Sequence, residues 1–143
     1  MNPVLRNILA VIAGIVIGSI VNMSIITVSE SIIPLPEGVD NKTMEGIQKT
    51  MHLYEAKHYL FPFLAHTAGT FLGAVTTALI AVNHKKKLAL VIGAFFLFGG
   101  IVMVCSLPSP MWFTFIDLVF AYIPMAYLAL RLVCKKNKPS IKI

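Results

Sequence analysis

Four apolar runs, residues 8–28, 59–82, 88–107 and 111–133, make up most of this 143-residue chain and carry almost no charge. A helix rises ~1.5 Å per residue, so ~20 residues cross a ~30 Å hydrocarbon core, and each run approaches or exceeds that length. Five of the acidic residues, Glu30, Glu37, Asp40, Glu45 and Glu55, share the loop 29–58, whereas Asp117 lies inside the fourth run. The fold class that follows is all-α: a polytopic membrane protein, a single domain over residues 1–143, with four transmembrane helices in an up-down bundle. Short turns at 84–87 and 108–110 force consecutive helices to be antiparallel neighbours. A soluble domain of this size would have too little interior to hide 57% hydrophobic residues.

Flanks rich in Lys and Arg stay on the cytoplasmic side of a bilayer. Arg6, Lys85, Lys86, Lys87, Arg131, Lys135, Lys136, Lys138 and Lys142 all fall on one side of the four runs, and only Lys42, Lys49 and Lys57 join the acids in the opposite loop. Both termini, including the tail 134–143, are therefore expected in the cytoplasm. Lys85, Lys86, Lys87, Lys135 and Lys136 also suit anionic lipid headgroups on that face. No nucleic-acid partner is expected. The first run exceeds the 7–15 residues or so of a signal-peptide core and ends without a small-x-small cleavage site, so it reads as a helix that stays.

The outer loop 29–58 has structure of its own. Pro34 and Pro36 favour an extended stretch. Asp40 or Asn41 then caps a short amphipathic helix running to about Leu53, with Met44, Ile47, Met51 and Tyr54 at helical spacing. That helix is expected on the membrane surface or as a lid on the bundle. Inside the bundle, small residues mark close approaches, because lipid supplies no hydrophobic force between helices and packing must replace it. Ala10, Gly14, Gly18 and Asn22 form one stripe, and Ala65, Gly69 and Gly73 form its expected counterpart. Gly93, Gly99 and Gly100 suggest a second close approach, and Pro124 should kink the fourth helix by freeing the Phe120 carbonyl.

His66 and Asp117 are ionisable side chains placed well inside apolar runs, where such groups usually meet a partner or a wet cavity. Counted from the outer ends of their runs, His66, Asp117 and Asn22 all lie ~9–11 Å deep. One polar layer results, in which Asp117 accepts from His66, Asn22 completes the network, and Thr67, Thr70 and Thr114 offer hydroxyls. The candidate ligand-binding residues are Asn22, His66, Thr70 and Asp117. Such a layer could bind a small ligand, cation or proton, with a histidine that titrates near neutrality. It could equally be a buried pair that fixes helix register, each hydrogen bond contributing ~1 kcal/mol, or hold Asp117 protonated as a donor.

Chemistry that needs a recognisable constellation finds none. There is no Gly-x-Ser-x-Gly elbow, no His-Glu-x-x-His and no Asp-rich phosphate-metal motif. His52, Glu55 and His58 have a spacing that turns the two histidines apart, so they read as exposed loop residues. Cys105 and Cys134 fall a membrane thickness apart and cannot pair. No catalytic residue, metal ligand or cofactor is expected, and the chain does not read as an enzyme.

Arg-Asn-Ile-Leu-Ala-Val-Ile-Ala-Gly at 6–14, Pro-Leu-Pro-Glu-Gly-Val-Asp at 34–40, Phe-Pro-Phe-Leu-Ala-His at 61–66 and Gly-Thr-Phe-Leu-Gly-Ala at 69–74 follow one another in this order. In that order of features the chain resembles a group of small uncharacterised bacterial four-helix membrane proteins, over nearly its whole length. The resemblance implies a bacterial inner membrane and carries no activity with it. The expected function is binding or transport through the polar layer. The alternative is an accessory or structural subunit whose glycine-rich faces contact another membrane protein or a second copy of the chain.

Overall fold

The computed structural model describes residues 1–136, which leaves Lys138 and Lys142 of the expected tail outside the described residues. It is all-helical, with no strand among those residues: α1 (Pro3–Ile32), α2 (Met44–Thr50), α3 (Leu60–Ile80), α4 (Lys85–Ser106), α5 (Met111–Phe120) and α6 (Ile123–Lys136). Two short 3-10 turns, Met51–Leu53 and Ala56–Tyr59, lead from α2 into α3. Four segments are long and apolar enough to cross a membrane: Pro3–Ile32, Ala56–Ile80, Lys85–Ser106 and Met111–Lys135.

Helix α1 starts five residues before the apolar run and ends four after it. Asn2 caps it, its side chain accepting from the Val4 amide at 2.9 Å, and Pro3 occupies the first turn, where no amide hydrogen is needed. At the other end Ser24, Thr27, Ser29 and Ser31 donate their hydroxyls to carbonyls three or four residues back. Polar side chains that bond within their own turn let the helix outlast its apolar stretch.

α1 and α3 form the tightest contact in the fold, antiparallel and backbone to backbone. A Cβ on Gly73 would lie 2.7 Å from the Gly14 carbonyl oxygen, and one on Gly18 would lie 2.7 Å from that of Gly69. Only glycine permits this approach. Thr77 adds a buried hydrogen bond to the Ala10 carbonyl at 3.1 Å. The first turns of α1 also cap the end of α3: Arg6 donates to the Ile80 carbonyl at 2.9 Å, and Asn7 accepts from the Val82 amide at 3.0 Å. Both glycine stripes therefore face each other within the chain.

The core between α3, α4 and α6 is built from small residues, Ala74, Ala78, Ala89, Ala126 and Ala129, around Ile92, Leu130 and Val133. Large apolar side chains point outward instead; Val4, Phe98 and Phe115 are each at least 65% exposed. Arg6, Lys85, Lys86 and Lys87 gather at the end where α3 passes into α4, and the last turns of α6 pack there through Leu130 and Val133.

Two expectations need correcting. The fourth apolar run is not one kinked helix: α5 ends at Phe120, α6 begins at Ile123, and Ala121 and Tyr122 lie between them, both buried. Pro124 cannot donate to the Phe120 carbonyl, and its ring displaces that turn, so the ladder breaks outright. In the outer loop, Thr43 rather than Asp40 or Asn41 caps α2, accepting from the Gly46 amide at 2.9 Å. The Asp40 side chain instead accepts from the Lys42 amide at 3.0 Å and lies against Gly46, so it shapes the turn before the helix. The α-helix ends at Thr50, and a 3-10 turn carries the chain to Leu53.

Candidate functional site

The site is built where three elements converge. α3 carries His66, α5 carries Asp117, and the break after α5 carries Tyr122. The His66 ring nitrogen Nδ1 lies 2.8 Å from Asp117 Oδ1, and the Tyr122 hydroxyl donates to Asp117 Oδ2 at 2.8 Å. Tyr122 Oη also lies 3.1 Å from His66 Nδ1, and the two rings stack with centroids 5.7 Å apart. Asp117 is only 2% exposed, so its carboxyl group is reached solely through these two partners.

Counting hydrogens ties the histidine tautomer to the charge on Asp117. Tyr122 has one hydrogen, which goes to Oδ2. With Asp117 ionised, the carboxylate only accepts, so Nδ1 carries the hydrogen that joins it to Oδ1. In the neutral ring Nε2 is then an acceptor. It has no hydrogen-bond partner, yet it is not sealed off: among the described residues the buried side-chain nitrogen or oxygen atom without a partner is Thr70 Oγ1. A carboxylate on Nδ1 orients the imidazole ring and sets which nitrogen is left to meet a partner.

His66 borders an open space. His66, Asp117 and Tyr122 close the polar end of a cleft of about 830 Å³ between α1 and α4. Asn22 and Met23 line it from α1, Phe96 and Met103 from α4, and Ile47, Met51 and Tyr54 from the outer loop. α1 packs along α3, and α4 along α3 and α6, so α1 and α4 touch little and the gap between them stays open. Met23 (60% exposed) and Phe98 (69% exposed) both line the cleft, which places its mouth on the flank of the bundle rather than at its end. Gln48 holds the loop over this region by donating to the Ser106 carbonyl at 2.7 Å. Burial and the nearby Glu30 carboxylate push the Tyr54 phenol above its ordinary value, so it faces the cleft uncharged.

Of the expected site residues, the structure brings His66 and Asp117 into contact. Asn22 lines the cleft but hydrogen-bonds neither of them, because its Cβ lies over Gly69, one turn from His66. Thr70 is 1% exposed and its hydroxyl has no partner. Thr67 bonds the Leu64 carbonyl at 3.0 Å and stays outside the network. The third member is Tyr122, which helical spacing hides: five residues at 100° each would carry it about 140° around the axis from Asp117. The break before Pro124 re-aims it.

One of the two outer histidines differs from expectation. His52 is exposed, but His58 is buried: Nδ1 accepts from the Glu55 amide at 2.9 Å and Nε2 meets the Pro34 carbonyl at 3.2 Å. His58 therefore staples the extended stretch to the start of α3. Among the described residues no three His, Cys, Asp or Glu side chains converge as metal ligands would, and Cys105 and Cys134 are exposed free thiols.

No family model, no curated protein and no solved structure matches the chain. The functional reading rests on this geometry.

Proposed function

We propose that this chain is a multi-pass protein of the bacterial inner membrane that binds a small lipid-soluble ligand in the cleft between α1 and α4, with His66, Asp117 and Tyr122 as its polar end. Its four membrane-crossing segments run up and down with both termini in the cytoplasm. Support for insertion comes from the outward-facing Leu, Ile, Val and Phe side chains around an alanine and glycine interior, an arrangement suited to lipid rather than water. Support for the orientation comes from the lysines and arginines gathered at one end. Lys85, Lys86, Lys87, Lys135 and Lys136 then meet anionic lipid on the cytoplasmic face.

The observation that carries the reading is His66, its Nε2 without a partner, at one end of a largely apolar cleft with a sideways mouth. Binding sites for small molecules combine apolar walls with a few placed polar groups in this way. A metal cation is less well served, since both Asp117 oxygens already accept from donors and hard cations take six or more oxygens. The glycines of α1 and α3 pack against one another, which supports a binding role over an accessory subunit docking through those two faces.

The test uses Gly99, which lines the cleft and where an added Cβ would meet nothing within 4 Å. Gly99→Trp should fill the cleft and leave the fold intact. Protein purified into lipid nanodiscs, and analysed by native mass spectrometry after incubation with apolar probes, should retain them as wild type and release them as Gly99→Trp. Equal retention by both would rule the cleft out as the binding site.

A further inference from the structure

The cleft's polar end selects the head of its ligand. Resting on the binding role proposed above, we infer that the occupant is a hydroxyl-headed aromatic, a phenol or quinol with an apolar chain, whose O–H donates to His66 Nε2 while the chain leaves through the gap between α1 and α4.

The head follows from what the site can and cannot offer. With Asp117 ionised, Nδ1–H is committed to it and the neutral ring presents Nε2 as an acceptor, which calls for a donor. Anionic heads, phosphate or carboxylate, meet no Lys or Arg among the lining residues and would face the Asp117 carboxylate behind the imidazole. A cationic head would leave its hydration shell for neutral acceptors alone, His66 Nε2 and the Asn22 and hydroxyl oxygens of the lining, because Asp117 is 2% exposed and both its oxygens are occupied. A ketone or ether head only accepts and leaves Nε2 unpaired. A neutral hydroxyl satisfies Nε2 and brings no charge into the apolar cleft.

The body follows from the walls. Tyr54, Tyr59, Phe96, Phe98 and Phe113 line the cleft, and a flat ring meets such walls in the offset and edge-on contacts aromatic pairs prefer. Met23, Met51 and Met103 fill between them with adaptable side chains. About 830 Å³ exceeds the volume of a single ring, and the sideways mouth gives an attached chain its way into the bilayer.

The experiment compares three probes sharing one alkyl chain: a para-alkylphenol, its methyl ether, and an alkyltrimethylammonium salt. Each is titrated into wild-type protein in nanodiscs and followed by tryptophan fluorescence and by the ¹⁵N shift of labelled histidine Nε2. The phenol should bind on the order of tenfold more tightly than the methyl ether, the factor that one hydrogen bond to a polar partner supplies. It should also move the Nε2 resonance, which the ether should not. In His66→Leu the phenol should fall to the affinity of the ether. Wild-type protein that binds phenol and ether alike overturns the head assignment and leaves the cleft as an apolar site. Tightest binding of the ammonium salt overturns it in favour of a cation. Failure of all three probes overturns the binding role itself. Because the comparison is made on wild-type protein, the result stands even if His66→Leu does not fold.

Discussion

The missing side chain of Gly100 is what lets Tyr122 reach Asp117. A Cβ at Gly100 would collide with the Tyr122 hydroxyl oxygen and come within 2.7 Å of the ring carbon Cζ, so the phenol occupies the space an alanine would fill. The next-door glycine differs: a Cβ at Gly99 meets nothing within 4 Å. Gly100→Ala should therefore push Tyr122 off the carboxylate and lower stability in detergent by about 1–3 kcal/mol, the usual cost of overpacking. Gly99→Ala should leave the unfolding midpoint unchanged or slightly raised. Thermal unfolding of the two variants side by side is the measurement, and equal effects would remove Gly100 from the account.

Asp117 separates a functional role from a structural one. In Asp117→Asn the amide oxygen still accepts from His66 Nδ1, and Tyr122 can turn to accept from the amide nitrogen, so stability should fall by less than about 1 kcal/mol. Asp117→Leu strips two buried donors of their acceptor and should cost on the order of 2 kcal/mol or more. A double-mutant cycle with His66→Gln should show coupling, since the two side chains touch at 2.8 Å. Strictly additive stabilities would mean that the pair is not formed in the folded protein.

Thr70 gives a prediction of the opposite sign. Its hydroxyl is buried and unpartnered, and valine has nearly its shape without the oxygen. Thr70→Val should be neutral or stabilising by about 1 kcal/mol, because removing an unsatisfied polar atom removes its desolvation penalty. A clear loss of stability would place a bound water or ligand group at this hydroxyl.

Orientation is open to chemical labelling. Single cysteines introduced into residues 37–55, in a background lacking Cys105 and Cys134, should react with a membrane-impermeant maleimide in intact cells. Cysteines replacing Lys85, Lys86 or Lys87 should react only after lysis. The reverse pattern would invert the assignment.

His66 and Asp117 illustrate how far the sequence alone reaches. Both are ionisable residues in apolar runs, and counting ~1.5 Å per residue from the run ends puts them at one depth, so their meeting is legible before any coordinates exist. The same holds for the stripe of Gly14 and Gly18 against Gly69 and Gly73, because a four-residue period of small side chains marks a face that only a neighbouring backbone can fill. Both are matters of local periodicity along single helices. Tyr122, the free Nε2 and the cleft are different in kind. Tyr122 enters the site only because the ladder breaks before Pro124, and Nε2 is left open because the ring turns its Nδ1 edge toward Asp117 and Tyr122. The cleft exists because α1 and α4 both pack on α3 and touch each other only along part of their length. No periodicity along one helix records a gap between two, so the space for a ligand was decided by the tertiary packing alone.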